Sequence, residues 1–416
     1  MNITYPLLHL MFIMNILSLL VSFSQTWAKL FFVFTALGLF VASIFQKRMY
    51  TRWTFKSLHA NGFFFLLFYF CTIGLGFFYG YDKKYVLINL FMLVPLFLFM
   101  LIPRKIDPNK IYNIILLYAF ISVVFSYMEI FFWEHIGFLK HYVDASVLAN
   151  QENHMLGSLF RGDSLKAFGI FSNALQNGIF IVFALIILIF KLLEKFRWSY
   201  FGLVLLFLPV VYWTYTRNVQ LALFAAIALT FIVHRPYHKF VINFSWGVSI
   251  LLYFGLIVGS IFYVGQLSSF DGDSIYARVF SWGIIVSEYF LSVLDSYHIF
   301  IGFALTQFTG DVSPETKYWA IDNSALMIYL SSGLIGVILY IAWMRHVVSI
   351  LYKKLRFCNL LEQSNIKILI VTIFVYMVSG AMNANILNMQ FLLPILLIMS
   401  AYIRLRGEKL LGGVDQ

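Results

Sequence analysis

Charge is what this sequence most lacks. Only 11% of its 416 residues are Asp, Glu, Lys or Arg, against about 25% in soluble domains, while 62% are hydrophobic. A chain so composed cannot cover itself with a water-compatible surface, which excludes a soluble globular protein. Cysteine is nearly missing: Cys71 lies in an apolar run and Cys358 in a basic stretch, so neither a disulfide scaffold nor a zinc-binding cysteine cluster is available. Eight prolines and the lack of any low-complexity tract or tandem repeat leave no linker, so the chain reads as a single integral membrane domain over 1–416. HExxH, GxSxG and P-loop patterns do not occur. His135, His141 and His154 share one stretch at spacings unsuited to a metal, so no metal or other cofactor is expected.

What is there is long apolar segments rich in aromatics. With 47 Phe and 25 Tyr, aromatics reach 19%, which suits lipid-facing helices and interfacial belts better than the short alternating strands of an outer-membrane barrel. A helical span needs about 20 apolar residues, and the sequence offers twelve such segments. They fall at approximately 5–24, 30–46, 61–80, 85–102, 110–133, 168–190, 200–216, 218–233, 241–264, 323–343, 367–382 and 388–403. The expected fold is therefore all-α and polytopic, and the first run reads as a retained helix rather than a cleaved signal.

The net charge of +11 names no nucleic-acid partner, because cytoplasmic loops of membrane proteins are enriched in Lys and Arg. With both termini cytoplasmic, only Lys29, Lys83, Lys84, Lys140, Arg161, Lys166, Arg217, Arg278 and Lys317 of the 29 cations fall on the outer side. Flipping the chain would reverse that bias. Two outer segments, 134–167 and 265–322, are too long to be turns. The second contains the apolar stretch Ile275–Leu294, expected to lie on the surface rather than span, because Arg278 and Glu288 interrupt it.

Three groups of polar residues need explaining. Tyr200–Val233 has room for two short helices only, which puts Thr214–Tyr215–Thr216–Arg217–Asn218 at a hairpin tip near the outer headgroups. A guanidinium at that depth needs an anion or water, and its planar fork suits phosphate oxygens; snorkelling to lipid headgroups is the structural alternative. Asp322 and Asn323 open the tenth span, where an Asp is commonly a helix cap, and Gly333 and Gly336 beside Ser331 and Ser332 suggest a packing seam. Arg161, Asp163 and Lys166 precede the sixth span, whose start carries Ser172, Asn173, Gln176 and Asn177. Those side chains suit sugar hydroxyls, and interhelical hydrogen bonds equally. Apart from His9 and Glu129, the first nine spans carry almost no mid-membrane ionisable group, unlike ion-coupled transporters.

In order, these pieces resemble the O-antigen polymerase and O-antigen ligase superfamily. The resemblance runs from about Arg161 to Tyr340 and leaves the first five spans without a motif. It rests on Lys166–Asn173, on Thr216–Arg217–Asn218, on Ala277–Arg278–Val279–Phe280–Ser281–Trp282 followed by Ile301–Gly302–Phe303, and on Asn323 followed after nine residues by Gly333–Leu334–Ile335–Gly336. The ligases carry His where this chain has Asp322, a departure that favours a polymerase.

The resemblance implies a glycosyltransferase acting on glycans linked to undecaprenyl pyrophosphate, at the outer face of the bacterial inner membrane. Arg217 and Arg278 would receive the pyrophosphate and Asp322 would deprotonate the acceptor hydroxyl. Arg161, Lys166, Asn173, Asn177, Asn218, Trp282 and Asn323 would bind the glycans. The implied partners are the donor and acceptor lipid-linked glycans, the bilayer, a chain-length regulator and a flippase, with no nucleic acid. A ligase-type transferase and a non-catalytic polysaccharide transporter or flippase remain the alternatives.

Overall fold

In lipid an apolar run can satisfy its own backbone groups only as a helix, and helices dominate the chain. The computed structural model describes residues 4–20, 57–81, 107–140, 160–161, 164–171, 173–234, 296–304, 324–355 and 360–380. It adds single positions at 83, 86, 87, 89, 90, 93, 143, 144, 243, 246, 247, 250, 251, 283, 289, 395 and 398. The helices among them are α1 (Thr4–Leu20), α2 (Ser57–Gly74), α3 (Pro108–Phe132), α4 (Ala174–Glu194), α5 (Trp198–Trp213), α6 (Arg217–His234), the single turn α7 (His298–Ile301), α8 (Ser324–Leu355) and α9 (Leu360–Gly380). A two-residue-per-strand hairpin, β1 (Phe160–Arg161) with β2 (Ser164–Leu165), pairs Phe160 opposite Leu165.

Among the described residues, five helices are long and apolar enough to cross a membrane: Pro108–Phe132, Ala174–Glu194, Arg217–His234, Leu326–Leu355 and Glu362–Gly380. Shorter apolar helices occupy Leu8–Leu17, Gly62–Phe77 and Trp198–Trp213. This is the architecture of a multi-pass helical membrane protein. A helix apolar on every side belongs in the middle of a bundle, and α4 and α9 sit there, with Phe180–Leu188 and Ile368–Val378 buried throughout. α4 packs on α3, α5, α6 and α9, α9 also on α6 and α8, and α8 lies along α2. Around this centre Leu205, Phe224, Phe231 and Ile338 are more than half exposed, an outer surface fit for lipid chains.

The helix ends assort by charge. At one end Asp107 caps α3 by accepting from the Asn109 N–H, with Pro108 at the first helical position, and the Asp107 N–H donates to the Tyr5 hydroxyl. The Tyr112 hydroxyl donates to the Asn365 carbonyl, Lys191 reaches Asn113, and Lys367 reaches the His234 carbonyl. Lys110, Lys191, Lys195, Arg197 and Lys367 therefore gather at this end. The opposite end carries the C-terminus of α3, the start of α4, the α5–α6 turn and the end of α9, where the Asn218 Nδ2 donates to the Ser379 carbonyl.

Two expected boundaries move. The sixth span is expected over 168–190, but helix begins at Ala174, and 166–171 is irregular backbone whose apolar Phe–Gly–Ile–Phe run imitates a span. The tenth span, expected over 323–343, continues to Leu355, so Arg345, Lys353 and Lys354 belong to a helix and not to a loop. The spans expected at 30–46, 85–102, 241–264 and 388–403 lie outside the described residues apart from single positions. So does the surface helix expected over Ile275–Leu294, apart from 283 and 289.

The Gly333 position is not a smooth packing seam. Gly333 adopts φ 63°, ψ −166° and breaks α8. A Cβ there would strike the Phe300 carbonyl group, and one on Gly302 (φ 78°, ψ −172°) would lie 2.5 Å from the Ser332 nitrogen. Two glycines thus let one backbone rest on another. In an unbroken helix the Leu330 carbonyl would accept from residue 334; here it accepts from the Phe303 N–H at 2.7 Å. The Tyr81 hydroxyl donates to the Phe303 carbonyl at 2.9 Å, and burial, with Tyr289 and Tyr79 nearby, pushes its pKa up to about 12.

Candidate functional site: the polar end of α3, α4 and the α5–α6 turn

Along α3, Ser122, Ser126 and Glu129 follow at i, i+4 and i+7, which places them on one helix face. All three are fully buried. They face the irregular segment 166–171, a stretch of non-helical backbone that can be buried in an apolar bundle only if its amides find partners. They do. The Ala167 N–H donates to the Trp213 carbonyl at 3.0 Å. The Phe168 and Gly169 N–H groups both donate to Glu129 Oε2 at 2.9 Å, and the Ile170 N–H donates to Ser122 Oγ at 3.1 Å. The Phe171 N–H closes back on the Phe168 carbonyl.

Successive N–H groups converging on one oxygen form an anion-holding nest, which requires a left-handed residue; Gly169, at φ +57°, supplies it. Asn177 completes the cradle from α4. Its Nδ2 donates to Ser126 Oγ and to the Ala167 carbonyl, and its Oδ1 accepts from Ser122 Oγ at 2.7 Å.

The same segment is tied to the α5–α6 turn. Trp213, whose carbonyl receives the Ala167 N–H, packs edge-on against Tyr127 and Phe131 at ring-centroid distances of 4.9 and 5.5 Å. The Tyr127 hydroxyl donates to the Leu206 carbonyl. α5 ends at Trp213, Tyr215 takes φ +49°, and Thr216 accepts the Gln220 N–H as α6 begins at Arg217. The hairpin of two short helices expected around Arg217 is present. Arg217 is exposed, standing at the positive end of the α6 dipole, where an anion is favoured.

The expected site residues divide accordingly. Arg217 and Lys166 lie at the same end of the bundle, joined through the Ala167–Trp213 hydrogen bond. Asn173 is exposed and caps α4 by accepting the Leu175 N–H at 2.8 Å. Asn177 is buried with both ends of its amide engaged inside the bundle, the interhelical alternative. Asn218, also buried, gives its Nδ2 to Ser379 across the α6–α9 contact, while its Oδ1 has no hydrogen-bond partner. Arg161 occupies β1, opposite Ser164. Asp322, Asn323, Arg278 and Trp282 lie outside the described residues; Ser324, the first residue of α8, directly follows Asn323. Among the described residues no three His, Cys, Asp or Glu side chains cluster so as to hold a metal ion.

Ser122, Ser126 and the Trp213 carbonyl were not foreseen. Their one sequence signal was spacing: two serines and a lone Glu on a single face of an otherwise apolar helix. His9, the second ionisable group singled out among the first nine expected spans, meets the Tyr118 hydroxyl at 3.1 Å, a contact between α1 and α3. No protein-family model matches the chain, and neither does any curated protein.

Proposed function

We propose that this chain is a membrane glycosyltransferase that polymerises oligosaccharide repeat units carried on undecaprenyl pyrophosphate, building O-antigen, capsular or exopolysaccharide. In this reading it crosses the bacterial inner membrane twelve times with both termini cytoplasmic. The polar end of α3, α4 and the α5–α6 turn faces outward. What supports the reading most is Arg217: an exposed guanidinium at the tip of a hairpin of two short membrane helices, at a helix N-terminus, at the end poorer in cations.

The chemistry follows from the donor. The acceptor sugar hydroxyl attacks C1 of the donor sugar; a C1–O bond forms, and the C1–O bond to pyrophosphate breaks with its electron pair leaving on the phosphate oxygen. Arg217 and Arg278 neutralise that developing charge, and Lys166 adds a third cation at the same end as Arg217. The hydroxyl proton passes to the Asp322 carboxylate. Asn173 and the polar residues around it orient the sugars, and Arg161, Trp282 and Asn323 are placed beside them by the order of the motifs. A lipid-pyrophosphate donor already carries its leaving group, so no nucleotide sugar is needed.

The test is purified protein in proteoliposomes with a defined lipid-linked repeat unit. A ladder of multimers is expected, with Arg217→Ala abolishing it in inserted protein and Arg217→Lys rescuing poorly, because a point charge lacks the bidentate fork. A normal ladder from Arg217→Ala makes the arginine a lipid anchor. Movement of the substrate across the bilayer without any ladder replaces the polymerase by a flippase.

A further inference from the structure

The reaction proposed above leaves Glu129 unused, although it is the one carboxyl buried among the apolar side chains of the described spans. Its Oε2 grips two consecutive backbone N–H groups, while Oε1 is buried and has no hydrogen-bond partner. Burying a carboxyl to serve two amides is costly, since a Ser or Asn acceptor would do it without a group that favours charge. The clue is what the gripped segment carries. Lys166 lies two residues before Phe168, Asn173 four residues after Gly169, and the Ala167 N–H holds the Trp213 carbonyl, four residues before Arg217. Without the Oε2 contact, the two amides would lose their shared acceptor and the turn at Gly169 would relax. Both cations would then lose their common reference.

We infer that Glu129 is a positioning residue for the outward site: through the Phe168 and Gly169 N–H groups it holds segment 166–171, and with it Lys166, in register with the Arg217 hairpin. This rests on the reading that Lys166 and Arg217 receive the donor pyrophosphate. Glu129 itself, fully buried, touches no substrate. Its role is exerted through backbone geometry, and a neutral acceptor oxygen at the same place performs it, so Gln substitutes and an aliphatic side chain does not.

Two measurements on the full-length protein test this separately. In a background lacking Cys71 and Cys358, spin labels at Ser164→Cys, on the exposed strand beside the segment, and at Gly202→Cys, where a side chain meets open space, report the position of the segment against α5. Glu129→Leu is expected to broaden that distance distribution and Glu129→Gln to leave it sharp. In the polymer assay Glu129→Leu is expected to lower kcat/KM by about 10²-fold with a raised donor KM, since displacement of a binding group by an ångström costs that much, and Glu129→Gln to stay near the parental value. If Glu129→Leu does not insert, Glu129→Asp, one methylene too short to reach both amides, takes its place with the same expectations. A sharp distribution in Glu129→Leu overturns the inference, as does a broadened one with parental kcat/KM. A broadened distribution in a protein that makes no polymer even as wild type upholds the grip and overturns the polymerase reading instead.

Discussion

Among the described residues, the backbone leaves regular helical pairing inside the bundle at two places, and they are held by opposite means. Segment 166–171 is held largely by side chains: Glu129, Ser122 and Asn177 from two helices meet the Phe168, Gly169 and Ile170 N–H groups and the Ala167 carbonyl. The crossing of Phe300–Phe303 over Leu330–Gly333 has few side-chain partners. There the backbones touch, because Gly302 and Gly333 have no Cβ, and one N–H···O=C bond with the Tyr81 hydroxyl does the satisfying. The first arrangement can adjust, since rotamers move; the second is fixed by atoms that cannot be trimmed. The adjustable region bears Lys166 and adjoins the Arg217 hairpin, and the rigid one buttresses the first turns of α8.

The sharpest way to break the contrast is Gly333→Ala. Its φ and ψ lie in a region essentially reserved for glycine, and the added methyl meets backbone, so about 3 kcal/mol or more of stability should be lost, read as a collapse of folded yield and of the thermal transition in detergent. No second-site trimming should restore it. A well-folded Gly333→Ala protein would show that the crossing is loose.

Gly169→Ala should cost less, about 2 kcal/mol, combining left-handed strain with crowding against Ser122 Oγ and Asn177 Oδ1. Because these neighbours are side chains, Gly169→Ala with Ser122→Ala should recover part of the loss in a double-mutant cycle, whereas additive losses would mean that the cradle is as rigid as the glycine crossing.

Smallest is the cap of α4. Asn173→Ala should cost about 1 kcal/mol and Asn173→Asp almost nothing, since either Asn or Asp oxygen accepts the Leu175 N–H. If Asn173→Asp keeps its melting temperature but loses polymer, the exposed amide serves the glycan as well as the helix.

What the sequence disclosed and what it hid follow the same division. The hairpin at Arg217 was legible because two apolar runs too short to be ordinary spans bracket Thr214–Asn218. The start of α4 was not: Ala167–Phe171 is as apolar as a helix interior, and hydropathy records burial without recording whether the backbone amides bond along the chain or sideways. Asn177 stood equally for a sugar ligand and an interhelical tie, and what decided its placement were Ser122 and Ser126, two residues unremarkable in themselves. The break in α8 was hidden for a third reason. Ser331–Ser332–Gly333 beside Gly336 looks like a seam between helices, and only the distant Gly302, 31 residues earlier in number, explains the need for a missing Cβ. The chemistry of Asp322, Asn323, Arg278 and Trp282 remains a matter of motif order alone.

The hydrogen bond from Asn218 to the Ser379 carbonyl joins residues 161 positions apart. At the usual pace of about 5–20 residues per second, roughly 10–30 s of synthesis separate the arrival of one partner from that of the other. The first turn of α6 is therefore made long before the helix that will clasp it. A chain released just before Ser379 is made would carry α3 to α8 and still lack this fastening beside Arg217, so the end of the bundle around the α5–α6 turn is completed only with α9.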